Sequence, residues 1–433
     1  MYHSRRLAPG AWRDLVAPSP NPDTSSPIPE PERKGRVVLF TAFEPSGDAH
    51  AAPVIEALKR RSPGLHIYAW GGPRMADAGA QLVETTADDG AMGLVGLKKI
   101  ATVRKHIQEI KRWSAQQRIV VHVPVDSPAA NFPVCKLLKP RGVRVAHLVA
   151  PQMWAWGSWR VKKLRGLTDV VMCLLPFEEH WFRSRRVPAK FIGHPVINRE
   201  LDTDTIKRMA KTMPQGSPRI LILPGSRSGE IRANLRLFTK AYTELADRNR
   251  GCGGLIMAAN NGIARLCREV LPDMPVGLHL MVNETDELDA AIHWCDLAIA
   301  TSGTVSLDLT RQQRAMIGVW RAGLISYLGS KVMLRTPHRL LPNIIAGREI
   351  VPEFVPAPPW MGAGAIVNAA SQLLKDTRNL AIAAEELRRV LLRFHGHDPA
   401  EEAAEIVLRL VDGRPIEDPK PAPPPTADPV ETV

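Results

Sequence analysis

The stretch LILPGSRSGEIRANL, residues 221–235, changes character at one point. Its first residues are apolar, as in a buried strand, whereas after Arg227 apolar residues recur at helical spacing. Gly225 permits a tight turn, and Ser226 is a residue type that caps helices. Free amides at such a junction suit phosphate oxygens, and an arginine adds a planar group of donors. The stretch predicts a phosphate-binding turn; the alternative is a capped junction whose arginine pairs with a carboxylate.

A second stretch, LAIATSGTVSLDL at residues 297–309, repeats this plan. An apolar strand runs into Ser302, Gly303 and Thr304, and a helical pattern follows. Two such turns in one half of the chain fit a diphosphate better than either turn alone. Asp308 lies farther along the second helix, where its carboxylate would accept hydrogen bonds from the two ribose hydroxyls of a nucleotide. A solvated helix charge is the alternative for Asp308.

Short apolar runs alternate with helical patterns on both sides of these turns. The first series of candidate strands is RVVLFTA, HIYAWG, IVVHVPV, RVAHLVA, DVVMCLL and AKFIG, and the second is RILILPG, GLIMAA, GLHLMV, LAIATSG and AMIGVW. Strands that alternate with helices form parallel sheets with crossover helices. We therefore predict an α/β chain with two doubly wound, Rossmann-like domains. Such sheets bind ligands at the carboxyl ends of their strands, so we expect the active site in a cleft between the domains.

Changes in composition divide the chain further. Proline-rich, polar segments at both ends predict disorder, and a polar segment near the middle predicts a linker. Helical patterns after the second series either close the second domain or cross back to the first. The predicted divisions are a disordered extension at 1–34, a first domain at 35–197, a linker at 198–217, a second domain at 218–362, C-terminal helices at 363–413 and a disordered tail at 414–433.

The overall charge points to an anionic partner. The 433 residues include 57 Lys and Arg against 44 Asp and Glu, a net charge of +13. Nucleic acid, anionic lipid and a phosphorylated substrate all fit this balance. The five cysteines are scattered without metal-ligand spacing, which favours a reducing compartment. GxxxxGK[ST] and an early GxGxxG motif are both missing, which argues against P-loop NTPases and dinucleotide oxidoreductases.

Two acidic loops in the first half follow predicted strands. FTAFEPSGDAHA places Glu44 and Asp48 around a small-residue loop, where they would orient an acceptor sugar or simply cap a helix. VPVDSPAANF places Asp126 directly after a strand. A carboxylate held there is a candidate general base, with an Asx-turn as the alternative.

Tryptophans and cations are mixed in two segments of the first half. The segments are HLVAPQMWAWGSWRVKKLRG and HWFRSRR. Aromatic rings beside cations suit a membrane interface or a phosphorylated amphiphile, and stacking on nucleic acid is the rival interpretation. The helix GLKKIATVRKHIQEIKRW adds an apolar stripe of Leu97, Ile100, Val103, Ile107 and Ile110. A helix facing the core explains that stripe as well as membrane binding does.

Ten short motifs, taken in order, resemble one enzyme family. They are EPSGD, GGPRM, AMGLVGL, VDSP, APQMWAW, LPFE, FIGHP, LPGSR, ATSGT and LPNIIAGRE, spread over roughly residues 37–355. In this order and spacing they resemble the lipid-A-disaccharide synthases, metal-independent and inverting glycosyltransferases of the two-domain GT-B fold. The resemblance implies transfer of 2,3-diacylglucosamine from its UDP conjugate to 2,3-diacylglucosamine 1-phosphate, forming a β-1,6 disaccharide.

The resemblance also implies roles for individual residues. Catalysis would use Asp126 and Glu44; the acceptor would contact Ser46, Asp48 and Asn131; and the UDP-sugar would contact Gly225, Ser226, Arg227, Ser302, Gly303, Thr304, Asp308 and Asn343. The first domain would bind acceptor and lipid, and the second the UDP-sugar. No metal or other cofactor is expected. The implied setting is the cytoplasmic face of the inner membrane, with an anionic membrane surface as partner, no nucleic acid, and a homodimer left open.

The sequence departs from the family pattern mainly in the acceptor half. Phe43 and Pro45 replace a Gly and a Thr, Ala129 replaces a carboxylate, Gly96 replaces a Glu, and Asp308 stands in place of a Glu. Two alternatives to the synthase therefore stay open. One is a related GT-B enzyme with another acceptor, and the other is a protein that binds UDP-sugar or lipid without turnover.

Overall fold

Two separate parallel sheets organise the computed structural model, which describes residues 35–87, 96–321, 323, 327 and 336–416. The first sheet has seven strands in the order β3-β2-β1-β4-β5-β6-β7. Their bounds are β1 Val37–Thr41, β2 His66–Gly71, β3 Gln81–Thr85, β4 Ile119–Pro124, β5 Arg144–Leu148, β6 Val170–Cys173 and β7 Ala189–Phe191. Every side chain of β1 is buried, as expected for a parallel strand covered on both faces.

The second sheet has six strands in the order β10-β9-β8-β11-β12-β13. Their bounds are β8 Arg219–Leu223, β9 Gly253–Ala258, β10 Leu278–Val282, β11 Leu297–Thr301, β12 Met316–Arg321 and β13 Glu353–Ala357. The predicted α/β fold with two doubly wound parallel sheets is confirmed. Every candidate strand of the sequence is present, with small differences at the ends, and β3 and β13 were not predicted.

Helices connect the strands and cover both faces of each sheet. In the first half they are α1 Pro45–Arg61, α2 Pro73–Asp77, α3 Gly96–Ser114, α4 Pro128–Leu138, α5 Val161–Leu167, α6 Pro176–Arg183 and α7 Pro195–Asn198. The next helix, α8 Thr203–Thr212, packs against the core of the second half through Met209 and Ala210. In the second half they are α9 Ser228–Arg248, α10 Asn261–Val270, α11 Glu287–Trp294, α12 Val305–Arg311, α13 Leu341–Ala346, α14 Gly364–Leu374, α15 Thr377–Leu392 and α16 Pro399–Val411.

The last helix, α16, returns to the first sheet. Ala403, Ala404 and Val407 are fully buried in the same apolar cluster as Val54 of α1 and Val123 of β4. Helix α14 instead packs into the core of the second sheet. The chain therefore crosses between the two halves twice, once before α8 and once after α15.

The apolar stripe of α3 faces the protein core where its side chains are described. Ile110 is fully buried, and Val103 and Ile107 pack against the cluster that contains Trp70. The side chains of Leu97 and Ile100, the predicted disordered segment at 1–34, and residues 417–433 of the predicted tail at 414–433 lie outside the described residues. Within the described part of the chain, no helix has both the length and the apolar character needed to cross a bilayer.

Both sheets have a switch point at which their strand order reverses. In the first sheet it lies between β1 and β4, and in the second between β8 and β11. Connections leave adjacent strands toward opposite faces there, which opens a crevice at the carboxyl edge. Glu44 and Asp126 follow the first pair of strands, and Gly225 and Ser302 follow the second pair. The fold thus brings the predicted loops to the two crevices.

Candidate active site

A cavity of about 550 Å³ lies at the carboxyl edge of the second sheet. Gln152, from the loop after β5 of the first sheet, also reaches its wall, so the cavity lies between the two halves. Its wall contains seven of the residues predicted to contact the UDP-sugar: Gly225, Ser226, Arg227, Ser302, Gly303, Thr304 and Asp308. The volume is within the usual range of small-molecule sites. The structure therefore brings the two predicted turns and the helical carboxylate together.

The first turn is capped by a side chain that the sequence analysis did not single out. Glu230, in the first turn of α9, accepts hydrogen bonds from the N–H groups of Ser226 (3.1 Å) and Arg227 (3.3 Å). It also accepts one from the Arg227 guanidinium at 3.0 Å. The expectation that Ser226 caps this helix is wrong, because α9 begins at Ser228 and Arg227 is at its N-cap position. Gly225 has a φ of +114°, and a Cβ there would clash with the Glu230 carboxylate.

The second turn is held by a side chain of α12 and follows a buried hydroxyl group. The Ser306 hydroxyl donates to the carbonyl of Gly303 at 2.7 Å, which fixes the start of α12. Thr301, at the end of β11, lines the cavity, and its hydroxyl oxygen is buried without a hydrogen-bond partner among the described residues. A buried hydroxyl left unsatisfied costs free energy. A ligand oxygen or a water molecule in the cavity would provide the missing partner.

Asp308 lies in the cavity wall among charged neighbours. Burial raises the pKa of its carboxyl to about 6, Asp289 adds to the rise, and Arg311 and Arg199 oppose it. The Arg311 guanidinium pairs with Asp289 and lies 3.9 Å from the Asp308 carboxylate. Asp308 is thus a carboxyl group that changes charge just below neutral pH.

Asn343 lies apart from this cavity. It is fully buried at α13, and its side-chain amide donates to the carbonyl of Val351 (2.8 Å) and to Glu353 (3.0 Å). Its side-chain oxygen accepts from the N–H groups of Ile350 (2.8 Å) and Val351 (2.9 Å). The polar side-chain atoms of Asn343 hold the segment after α13, and its contact with the UDP-sugar stays a prediction.

Asp126 lies at the switch point of the first sheet in an unusual backbone conformation. Asp126 and Ser127 have φ values of +47° and +34°. Burial raises the pKa of the Asp126 carboxyl above its ordinary 3.8 and Glu44 adds to the rise, while a hydrogen bond from the Ser127 backbone and the charge of His50 oppose it. A half-buried carboxylate with a raised pKa is suited to accept a proton.

Two of the predicted acceptor residues point into the protein. Asp48 is buried and accepts hydrogen bonds from the N–H groups of Gly72, Arg74 and Met75 at 3.0 to 3.1 Å. It therefore caps α2, and its contact with an acceptor sugar stays a prediction. Asn131 is fully buried on α4 and binds backbone groups beside Asp126. Ser46, by contrast, is exposed in the first turn of α1.

Three residues near the two crevices were missed by the sequence analysis. His50 lies on α1, and burial lowers its pKa while the charge of Asp126 raises it. The spacing of four residues between Ser46 and His50 could have indicated a shared helix face. Glu230 follows Arg227 by three residues, the spacing of a capping box. Gln152 gave no signal beyond its place after a strand.

Among the described residues, no His, Cys, Asp and Glu side chains are grouped so as to hold a metal ion.

Comparison with known proteins decides the family. Residues 38–407 match the family model described as lipid-A-disaccharide synthetase. The chain belongs to this family. Among its relatives, the lipid-A-disaccharide synthase of Myxococcus xanthus is 32% identical over 73% of this chain and 83% of its own length. That of Pseudomonas putida strain GB-1 is 29% identical over 87% of this chain and 99% of its own.

A solved structure supports the fold. The glycosyltransferase of kitacinnamycin superimposes with a TM-score of 0.60 at 14% identity, covering 88% of this chain and all of that one. At this identity the likeness bears on architecture alone. With the family assignment, it makes the chain a glycosyltransferase of the GT-B fold, as the resemblance implied.

Proposed function

We propose that this enzyme transfers 2,3-diacylglucosamine from its UDP conjugate to 2,3-diacylglucosamine 1-phosphate. The 6-hydroxyl of the acceptor attacks the anomeric carbon of the donor, its proton passes to the Asp126 carboxylate, and UDP leaves from the opposite side. The product is a β-1,6 disaccharide with inverted anomeric configuration. The observation that carries this proposal is the family match across a chain in which the turns after β8 and β11 line one cavity.

In the proposed complex, residues 218–362 bind the UDP-sugar. The diphosphate lies between the turn of Gly225 and Ser226 and the turn of Ser302, Gly303 and Thr304. Amides at helix N-termini and the Arg227 guanidinium stabilise the negative charge that develops on the diphosphate as UDP leaves. The Asp308 carboxylate accepts hydrogen bonds from the ribose hydroxyls.

Residues 35–197 bind the acceptor in this proposal. Asp126 is the general base, because it is the carboxylate that follows β4 at the switch point and its pKa is raised by burial. Glu44 acts beside it by keeping a negative charge near the base, which makes that base stronger. Ser46, exposed on the same loop, is a candidate to contact the acceptor sugar.

Product analysis tests the proposed reaction. The enzyme is incubated with UDP-2,3-diacylglucosamine and 2,3-diacylglucosamine 1-phosphate, and the lipids are examined by mass spectrometry. We expect a disaccharide phosphate together with released UDP. UDP release only with a different acceptor would indicate a related glycosyltransferase. Tight UDP binding without turnover would indicate a binding protein, and either result would overturn the proposal.

Donor affinity is expected to depend on pH through Asp308. A protonated carboxyl can no longer accept hydrogen bonds at both oxygens. The dissociation constant for a soluble UDP-sugar, whose diphosphate diester does not titrate in this range, should therefore rise as pH falls through about 6. Calorimetric titration at several pH values measures this. In Asp308→Asn the rise should disappear; the same pH dependence in both proteins would remove Asp308 from the ribose contact.

The tryptophan segment offers a surface for an anionic membrane. Trp159 is 70% exposed and Trp156 is 39% exposed, and the Arg160 guanidinium lies 3.9 Å from the centre of the Trp156 ring. The Arg185 guanidinium stacks on Trp181 in the same way at 4.0 Å. Gln152, in the loop that leads to Trp156, lines the cavity, so this surface lies beside the site. Exposed indoles with cations suit the lipid headgroup region, and we propose peripheral binding there.

Replacing both Trp156 and Trp159 by serine should weaken binding to vesicles containing phosphatidylglycerol. The indoles supply apolar contact, and the neighbouring cations supply attraction that salt screens. Sedimentation with vesicles at low and high salt measures the bound fraction. Ile382→Ser, which removes another exposed apolar side chain on α15, is the control and should bind like the parent. Equal binding by all three proteins would contradict this surface.

A further inference from the structure

A row of buried polar side chains lies directly behind Asp126. Thr41 of β1, His122 of β4, and Asn131 and Cys135 of α4 are all buried. The Thr41 hydroxyl oxygen is 2.8 Å from His122 Nε2 and 2.6 Å from the Asn131 side-chain oxygen. Cys135 Sγ is 3.8 Å from His122 Nδ1. The Asn131 amide donates to the carbonyls of Val125 and Asp126, each at 2.9 Å.

The hydrogen bonds in this row run in one direction, from His122 through Thr41 and Asn131 to the backbone. Both Asn131 amide hydrogens go to backbone carbonyls, so its oxygen must accept the Thr41 hydroxyl hydrogen. The Thr41 oxygen then accepts from His122, which must carry its proton on Nε2 and present Nδ1 to the Cys135 thiol. Burial and the nearby His147 lower the pKa of His122 to about 3, so its ring is neutral at physiological pH.

The row ends on a strained part of the backbone. Asp126 and Ser127 both have a left-handed φ, which only a well-determined surrounding structure maintains. The Asp126 N–H is held from the other side by the carbonyl of Leu148 at 2.9 Å. Both peptide groups that flank Asp126 are therefore fixed by buried hydrogen bonds, and those bonds determine where its carboxylate points.

We propose that Thr41 and His122 are positioning residues, which act through Asn131 to set the direction of the Asp126 carboxylate in the reaction. Neither touches a substrate. The proposal rests on the proposed function, because it assumes that Asp126 is the base. It assigns to Asn131 a role in orienting the base in place of the acceptor contact implied by the resemblance.

Paired substitutions test this role. Thr41→Val removes the hydroxyl at nearly constant shape, and His122→Leu removes the ring donor, whereas His122→Gln keeps a donor near the position of Nε2. We expect Thr41→Val and His122→Leu to lower kcat by about 10²-fold, since a small misplacement of a reacting group has this effect. The donor KM and UDP affinity should stay unchanged, and His122→Gln should regain most of the lost kcat.

The matched control is Thr168→Val. Thr168 has a buried hydroxyl that is hydrogen-bonded to the carbonyls of Val145 and Val170 of the same sheet, but it lies before β6 at the opposite edge from Asp126. It should keep the parent kcat. Thermal melting of each variant identifies loss of fold. Parent-like kcat in folded Thr41→Val and His122→Leu, or no recovery in His122→Gln, would overturn the positioning role.

A second measurement does not depend on activity. In protein labelled with ¹⁵N-histidine, the His122 ring signals are assigned by their loss in His122→Gln. We expect the neutral Nε2–H tautomer to persist on lowering the pH to mildly acidic values. The opposite tautomer would reverse the row and overturn the inference. If the parent enzyme makes no disaccharide, the proposed function fails, while this spectrum still reports on the row itself.

Discussion

Asp126→Asn is expected to lower kcat by about 10²–10⁴-fold, the usual contribution of a positioned general base. The asparagine amide cannot accept the proton of the acceptor 6-hydroxyl, so this hydroxyl would attack the anomeric carbon without a general base. Asparagine tolerates the left-handed φ of +47° at this position nearly as well as aspartate does. The loss should therefore come from chemistry and not from a changed backbone. Initial rates of UDP release with saturating donor and acceptor measure it.

UDP binding separates this effect from damage to the other half of the site. Asp126 follows a strand of the first sheet, whereas the cavity turns follow strands of the second, so calorimetry should give the parent affinity for UDP. Asp204→Asn, which neutralises an exposed aspartate on α8, is the matched control and should retain full activity. Turnover by Asp126→Asn at the parent rate would assign the base elsewhere, with Glu44 as the next candidate.

The sequence was sufficient to predict the central strands, but it missed β3 and β13, two of the four strands at sheet edges. β8 and β11 are central and, apart from the half-buried Arg219 at the start of β8, they are buried and mostly apolar, so composition alone indicates them. β3 and β13 each have a neighbour on one side only. The residues QLVET of β3 are mostly half-exposed or exposed, and β13 contains Pro356, which edge strands tolerate. Neither segment carries the apolar signature on which the predictions depended.

The predicted site divides in a similar way. Turns between a strand and a helix are local features, so Gly225 and Gly303 could be found from short patterns, and the sheet topology then brings them together. The direction of a polar side chain depends on distant residues. The Asp48 carboxylate accepts hydrogen bonds from amides at the start of α2, and the Asn343 side chain accepts them from the segment that leads to β13. Both residues belong to motifs of the family resemblance, but only the folded structure shows that their polar side-chain atoms are hydrogen-bonded within the protein.

Arg227→Ala is expected to have the second large effect. The Arg227 side chain is 69% exposed at the cavity, and its ion-pair partner among the described residues is Glu230. Its guanidinium would make charge-assisted hydrogen bonds to the diphosphate, which strengthen as negative charge develops on the leaving UDP. We expect kcat/KM for the donor to fall by about 10²–10³-fold and UDP affinity to fall by about 10-fold or more. Steady-state kinetics and calorimetry measure the two effects.

Two further variants make this prediction specific. Arg232→Ala removes an exposed arginine from the same helix, one that lies 4.0 Å from Glu269, and should change neither quantity. Glu230→Gln tests competition with the diphosphate, because the Glu230 carboxylate accepts hydrogen bonds from the same Ser226 and Arg227 amides that a diphosphate would need. Removing its charge should strengthen UDP binding, since two anions cannot share these donors. Unchanged UDP affinity in Arg227→Ala, or weaker binding in Glu230→Gln, would mean that the diphosphate lies away from this turn.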